Sequence, residues 1–165
     1  MPCQCTNLKF KTMASGSKGN CAIVLCDKVN LIIDIGISYL NLKRKLEESY
    51  LDFSSFYGVL ITHSHADHIK GLSSIIKHTK LKVLIPKKMY QELQEIVPLE
   101  RVIYIEDKNK LGDVDIELIH TSHDTACSVG YIITFANKSL VYVTDTGYIN
   151  RKYLQKMENK DIYLI

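Results

Sequence analysis

Long apolar runs are absent from this 165-residue sequence. Its apolar stretches, such as residues 59–61, fall far short of the roughly 20 residues that a membrane-spanning helix needs. Residues 1–20 also lack the apolar core of a secretory signal peptide. Charged residues make up 24% of the chain, which is close to the globular average and excludes general disorder. We therefore expect a soluble protein that stays in the cytoplasm and has no membrane partner.

The five cysteines do not indicate a disulfide framework, because their number is odd and the sequence shows no secretory context. Cys3 and Cys5 form a single C-x-C pair, and no second pair completes a zinc site. Cys21, Cys26 and Cys127 stand among apolar or small residues, where a reduced thiol behaves as a small hydrophobic side chain. We assign chemistry to none of the five.

Arginine is scarce throughout, and acidic residues are missing from one segment. The chain has three Arg against eighteen Lys, and residues 69–91 contain six Lys but no Asp or Glu. Two interpretations are open: a cationic rim for a polyanionic substrate, or a solvated lysine-rich surface. The shortage of Arg weakens the nucleic-acid interpretation, since Arg makes most bidentate contacts to phosphate.

Proline and glycine are too scattered to mark a linker, so we predict one domain over residues 1–165. Short apolar runs with β-branched residues predict strands at 8–13, 22–25, 31–35, 57–61, 81–85, 102–105, 114–119, 129–135, 140–143 and 162–165. Helical spacing predicts helices at 39–48, capped by Ser38, and at 68–77, 86–97 and 150–157. The predicted fold class is α/β, with many hairpin-like strands in place of a regular strand–helix alternation.

The strongest chemical signal is the segment THSHADH at residues 62–68, directly after a predicted buried strand. It holds three of the six histidines of the chain, together with Asp67. His63 and His65 alternate on an extended segment and project to the same side, whereas Asp67 and His68 enter a helix and point elsewhere. This arrangement predicts two neighbouring metal sites that share one loop. Imidazole and carboxylate ligands suit zinc, with manganese and iron as the alternatives.

Two further candidate ligands follow later strands. His123 comes after the predicted strand at 114–119, and Asp145 comes after the one at 140–143. Binding sites are usually assembled in loops beyond strand ends. Either residue alone reads as an ordinary loop residue, but together with the histidine cluster they complete a plausible ligand set. We interpret His78 and His120 as structural.

These motifs resemble a known family. His63, His65, Asp67 and His68 match the H-x-H-x-D-H signature of the metallo-β-lactamase fold superfamily. More narrowly, ASGSKGNC at 14–21, SHD at 122–124 and TDTGY at 144–148 are similar to the bacterial YycJ/WalJ-type branch, which is nuclease-like and associated with DNA metabolism. The resemblance implies an αββα sandwich and a hydrolase that uses two divalent metal ions.

The resemblance also implies a division of the metal ligands. One metal would be held by three imidazoles, those of His63, His65 and His123. The other would be held by Asp67 and His68, with Asp145 as a bridge between the two metals. The nucleophile would be a metal-bound hydroxide, which Asp67 would orient as a catalytic residue while accepting a proton. Asp34 would brace the metal loop from behind, and Asn20 would lie beside it.

The sequence departs from the family pattern at one point. The family carries one more histidine beyond a later strand, which completes the second metal site, and this sequence stops at Ile165 before that histidine. We therefore expect residues 1–165 to be a fragment of a hydrolase domain, incomplete at the C-terminus and lacking the last strands and helices.

The leading hypothesis for function is a metal-dependent hydrolase of phosphodiester bonds, in its most concrete form a 5′-to-3′ DNA exonuclease. One alternative is a small-molecule phosphodiesterase or thioesterase-type hydrolase of the same fold, since fold does not determine substrate. Another is a truncated module that binds metal without catalysis, an alternative that the missing histidine keeps open. A β-lactamase is disfavoured because the chain shows no secretion signal.

Overall fold

Two β-sheets form the framework of the computed structural model, which describes residues 7–165. Cys3 and Cys5 lie outside these described residues. The first sheet has six strands in the spatial order β1 (Lys9–Ala14), β2 (Cys21–Leu25), β3 (Leu31–Ile33), β4 (Gly58–Leu60), β5 (Lys82–Ile85) and β6 (Val102–Tyr104). Strand β2 is antiparallel to both of its neighbours, β1 and β3, whereas β3 to β6 are parallel.

The second sheet is almost entirely antiparallel. Its strands are β7 (Lys108–Leu111), β8 (Val114–Ser122), β9 (Val129–Phe135), β10 (Lys138–Tyr142), β11 (Tyr148–Ile149) and β12 (Ile162–Leu164). The long strand β8 pairs with β9 and also with β7 and β11 at its two ends, while β10 lies between β9 and β12. Only the pair of β10 and β12 is parallel among the pairs of this sheet in the described residues.

Helices cover the sheets from outside. The α-helices are α1 (Tyr39–Glu48), α2 (Ala66–Ile69), α3 (Leu72–His78), α4 (Tyr90–Leu93) and α5 (Arg151–Met157). Single 3₁₀ turns occupy Phe53–Ser55, Lys87–Met89 and Leu99–Arg101. The prediction for α1 is confirmed together with its cap, because the Ser38 hydroxyl accepts the Asn41 N–H at 3.2 Å. The prediction for α5 is confirmed as well, with Asn150 as its cap.

Two predicted helices are shorter than their sequence pattern indicates. The helix predicted at 68–77 divides into α2 and α3 at Gly71, whose N–H donates to Ile35 O at 2.8 Å. A Cβ at Gly71 would lie 2.1 Å from Ile37 O, so this close approach interrupts the helix. The helix predicted at 86–97 is only a 3₁₀ turn followed by α4. Strands β7 and β11 were not among the predicted strands; β7 is lysine-rich and β11 has only two residues.

The apolar core lies in two layers. The larger layer joins buried residues of both sheets, such as Ile33 of β3 and Tyr131 of β9, to Leu42 of α1. A smaller layer joins the outer face of the second sheet to α5, through Tyr153 and its neighbours. Each sheet therefore has the other on one face and helices on the opposite face. The expected α/β class and its layer order are confirmed.

The cysteines of the described chain behave as hydrophobic side chains. Cys21, Cys26 and Cys127 are buried as free thiols. Burial raises the pKa of Cys26 to about 11, and the pKa of Cys21 also rises, chiefly through burial. The prediction of buried reduced thiols is therefore confirmed for these three residues. In residues 7–165, every helix is too short or too polar to cross a membrane.

Candidate functional site

The loops that carry the predicted ligands leave both sheets at one edge. Strands β3 and β4 are parallel, so Asp34 and the segment 61–68 emerge from the first sheet at the same end. Strands β8 and β10 are both antiparallel to β9, so His123 and Asp145 emerge from the second sheet together. The topology therefore brings together residues that lie far apart along the chain, at the kind of strand end where sites form.

Side-chain atoms at this edge form two groups, in each of which the potential ligand atoms lie within 4.8 Å of one another. The first group consists of His63, His65 and His123. In it, His65 Nδ1 lies 3.0 Å from His123 Nε2, and the rings of His63 and His123 have centroids 4.7 Å apart. Three imidazoles that converge at such distances can share one metal ion.

The second group consists of His63, His68 and Asp145. Oδ2 of Asp145 lies 2.6 Å from His68 Nε2 and 3.6 Å from His63 Nε2. Asp145 has a φ of 48°, a left-handed conformation that Asp adopts more readily than most residues. The Asp145 carboxylate, which comes from the second sheet, therefore faces the Nε2 atoms of both imidazoles.

His63 belongs to both groups and is fully buried. Its Nδ1 lies 3.0 Å from Thr62 Oγ1, whereas its buried Nε2 has no hydrogen-bond partner within residues 7–165. Burial, reinforced by the neighbouring imidazoles, lowers the pKa of His63 to about 3, so the ring is neutral at pH 7. An unpartnered buried nitrogen is costly, and a divalent cation is the partner that the surrounding nitrogen and oxygen atoms suit. The residues therefore fit a divalent metal.

Asp34 supports the site from behind and is fully buried. It accepts hydrogen bonds from Thr62 N at 2.8 Å and Thr62 Oγ1 at 2.7 Å, and its Oδ2 lies 2.6 Å from His68 Nδ1. Burial raises the pKa of Asp34, and the hydrogen bonds from His68 and Thr62 oppose that rise. A carboxylate at Nδ1 orients a histidine so that its Nε2 is free to bind a metal. The contact predicted for Asp34 is thus present, while its role remains a prediction.

Three chain segments meet closely beside the metal loop. Asn20 N donates to Asp67 O at 2.7 Å, and Gly36 N donates to Asn20 O at 2.8 Å. A Cβ at Gly36 would lie 1.8 Å from Asp67 O, so only glycine permits this approach. The Asn20 side chain also lies 3.2 Å from both Asp67 Oδ2 and His68 Nε2. Asn20 therefore lies beside the metal loop, as the resemblance implies.

Asp67 is the predicted ligand that lies outside both groups. Its Oδ2 is 3.6 Å from His68 Nε2, and the residue occupies the first turn of α2 beside the cluster. This position leaves the carboxylate close to the second group without placing it among the converging atoms. Its expected roles as metal ligand and proton acceptor remain predictions.

Sequence reasoning missed one contact of the first group. Oδ1 of the exposed residue Asp124 lies 3.1 Å from His65 Nε2 and 3.3 Å from His123 Nε2. A carboxylate at His65 Nε2 leaves Nδ1, the atom that faces His123, free for a metal. The signal was the SHD motif itself, which places Asp124 directly after a candidate ligand.

The lysine-rich segment does not form a single rim along the site. Lys87 and Lys88 follow β5 at the edge that carries the metal-ligand groups, and Lys88 lies near enough to Cys127 to oppose the rise in its pKa that burial causes. Lys77 and Lys80 instead line a cleft with Tyr57, which precedes β4 at the opposite edge. The interpretation as one cationic rim is therefore wrong for the segment as a whole.

Comparisons with known proteins agree with this geometry. A family model described as "Beta-lactamase superfamily domain" matches residues 29–165. Exodeoxyribonuclease YycJ of Bacillus anthracis is 31% identical over 148 residues, covering 87% of this chain and 56% of that protein. Exodeoxyribonuclease WalJ of Streptococcus pneumoniae is 32% identical over 164 residues, covering 95% of this chain and 61% of that protein. The chain thus spans 56–61% of the length of these relatives.

A solved structure supports the fold. The crystal structure of the metallo-beta-lactamase fold protein YhfI from Bacillus subtilis matches with a TM-score of 0.74. The match has 17% sequence identity and covers 94% of this chain and 69% of that one. At this identity the likeness shows the fold alone, and it confirms the fold that the motifs indicate.

Proposed function

The chain belongs to the beta-lactamase superfamily, and from this membership and its two metal-ligand groups we propose that it is a metal-dependent hydrolase of phosphodiester bonds. The observation that carries the proposal is the shared, buried His63, whose unpartnered Nε2 lies where both groups converge. Zinc is the proposed metal, with manganese and iron as alternatives, because imidazole nitrogen dominates the donor set. Bound divalent ions would polarise the phosphodiester and supply a nucleophilic water at neutral pH.

The residues of the chain divide the remaining work. Asp34 holds His68 in the orientation that points its Nε2 toward Asp145. Asn20 fixes the Asp67 carboxylate by a hydrogen bond at 3.2 Å, which positions it to accept a proton from the attacking water. Both roles depend on hydrogen bonds between residues far apart in sequence, so the positions of the site residues depend on the whole fold and not on one loop.

The proposed substrate is DNA, degraded from its 5′ end toward its 3′ end. Two relatives named exodeoxyribonucleases support this substrate. The surface beside the site supports it too, because Tyr148 on β11 is 61% exposed and pairs with Ser122, next to His123. An exposed aromatic ring can stack on an unpaired base, and Lys87 and Lys88 at the same edge can contact phosphates.

An end-labelled DNA assay tests the proposal. A single-stranded oligonucleotide with a 5′-phosphate is labelled at either end and incubated with the purified protein and Zn²⁺ or Mn²⁺. We expect a 3′-label to appear in a ladder of shortening products, and a 5′-label to be released at once as a mononucleotide. The His63→Ala variant is the matched control and should leave both substrates intact.

The other outcomes distinguish the alternatives. Intact DNA together with hydrolysis of bis(p-nitrophenyl) phosphate would contradict the exonuclease and leave a small-molecule phosphodiesterase. Cleavage of a thioester alone would contradict phosphodiester chemistry and leave a thioesterase-type hydrolase. No hydrolysis of any of these substrates by metal-loaded protein would overturn the enzymatic proposal in favour of a module that binds metal without catalysis.

A further inference from the structure

Glu92 joins the two loops that supply the first metal-ligand group. This half-buried residue lies on α4, and its Oε2 accepts a hydrogen bond from the hydroxyl of Ser64. Its Oε1 accepts a hydrogen bond from Cys127 N at 3.2 Å. One carboxylate therefore binds a residue of the first sheet's metal loop and a residue of the loop between β8 and β9.

Both partners stand next to predicted ligands. Ser64 lies between His63 and His65 in the chain, and Cys127 closes the loop that begins at His123. These loops come from different sheets, and another connection joins their bases, because Val129 N donates to Thr62 O at 2.9 Å. The two loops are therefore joined by a backbone hydrogen bond between Val129 and Thr62 and by the carboxylate of Glu92.

We propose that Glu92 is a positioning residue that holds His65 and His123 at the separation which the first metal ion requires. This inference rests on the metal-ligand groups of the proposed function, but it does not depend on what the substrate is. Within residues 7–165, Glu92 makes no hydrogen bond to a predicted ligand, so it acts through Ser64 and Cys127. Loss of a residue that hydrogen-bonds a metal ligand commonly weakens metal binding by about 10- to 100-fold, and Glu92 is one connection farther from the metal, so we expect a smaller loss of about 3- to 10-fold.

The surroundings of Glu92 favour a carboxylate in this place. Residues 68–91 contain no Asp or Glu, so Glu92 is the first acidic residue after Asp67. A carboxylate also offers two acceptor atoms, one for a hydroxyl and one for a backbone N–H, as this bridge requires.

Zinc affinity measured by competition with a chromogenic chelator tests the inference without any substrate. We expect Glu92→Ala to weaken zinc binding at the first group by about 3- to 10-fold. We expect Glu92→Gln to restore most of that affinity, because its amide oxygen can accept the Cys127 N–H while its NH₂ donates to the Ser64 hydroxyl. Glu95→Ala removes the same charge from an exposed position three residues away and should leave zinc affinity unchanged.

A structural defect is separated from a positioning effect by two further measurements. Unfolding in the presence of chelator reports the stability of each variant without metal, and the visible spectrum of the Co²⁺-loaded protein reports ligand geometry. If Glu92→Ala fails to fold, Ser64→Ala removes one end of the bridge alone and should still weaken zinc binding relative to Glu95→Ala. The inference would be overturned if Glu92→Ala kept the zinc affinity and the Co²⁺ spectrum of the wild-type protein. If Glu92→Ala does not fold, the same result in Ser64→Ala would overturn it. Absence of zinc binding in the wild-type protein would instead overturn the proposed metal-ligand groups.

Discussion

Replacement of Asp34 separates the stability of this site from its metal affinity. Asp34 is fully buried and receives hydrogen bonds from Thr62 N, Thr62 Oγ1 and His68 Nδ1 at 2.6–2.8 Å. In Asp34→Ala all three donors lose their acceptor inside the protein. In Asp34→Asn the shape of the side chain is kept, but one acceptor oxygen becomes a donor NH₂.

The size of the stability loss follows from these contacts. A buried donor without a partner costs about 1–3 kcal/mol. Thr62 Oγ1 and His68 Nδ1 lie 3.3 Å apart and can pair with each other in Asp34→Ala, so only the Thr62 N–H is left fully unsatisfied. The weakened pair adds about 1–2 kcal/mol, so the free energy of unfolding should fall by roughly 2–5 kcal/mol. For a chain of this length, that loss lowers Tm by roughly 4–20 °C.

Asp34→Asn should behave differently. The amide oxygen keeps the bond from Thr62 N, so we expect a smaller loss of about 1–2 kcal/mol. The NH₂ group then donates to His68 Nδ1 and moves the imidazole proton to Nε2, the atom that faces Asp145. The alternative amide orientation would set NH₂ against the Thr62 N–H and is unfavourable. Metal affinity at the second group should therefore fall by about 10- to 100-fold.

Two assays measure these effects independently. Urea unfolding followed by circular dichroism in excess EDTA gives the stability of each variant without a contribution from bound metal. Zinc titration at a temperature where both variants are folded gives the affinity. Wild-type zinc affinity in Asp34→Asn would refute the assigned role of Asp34 in orienting His68. A stability loss in Asp34→Ala below about 1 kcal/mol would refute the hydrogen-bond reasoning.

Three other substitutions test further parts of the site. Gly36→Ala places a methyl group 1.8 Å from Asp67 O, so we expect the free energy of unfolding to fall by about 1–3 kcal/mol or more. Urea denaturation measures this loss, and an unchanged free energy of unfolding would contradict the close approach. Tyr148→Ala should raise KM for single-stranded DNA by about 5-fold or more and leave the hydrolysis of a small phosphodiester unchanged. The control variant Tyr50→Ala, at an exposed position on another loop, should change neither activity. His123→Ala should remove one bound metal ion and spare the other in elemental analysis, since His123 belongs to one group only.

Local signals in the sequence predicted the parts of the fold that depend on neighbouring residues. The apolar spacing and the Ser38 hydroxyl determine α1, and the apolar run before residue 62 determines β4. The H-x-H-x-D-H spacing indicated a metal loop because side-chain direction follows backbone conformation over a few residues. Each of these features can be derived from fewer than about 15 consecutive residues.

Contacts between distant segments could not be derived in the same way. The division of the helix at Gly71 depends on the approach of Ile37, and β7 becomes a strand only by pairing with β8. The bridge formed by Glu92 spans 28 residues to Ser64 and 35 residues to Cys127, and nothing in its local pattern marks it. Tertiary packing decides such features, which is why they are found in the structure and not in the sequence pattern.

Metal content is the most direct measure of the proposed site. Purified wild-type protein loaded with zinc and freed of excess ions should contain two ions per chain by elemental analysis, one for each ligand group. His63→Ala should lose at least one of them, because the free Nε2 of His63 can bind one metal ion, and its unfolding in EDTA should remain cooperative. A His63→Ala variant that keeps the wild-type zinc content would contradict the shared site and the hydrolase proposed from it.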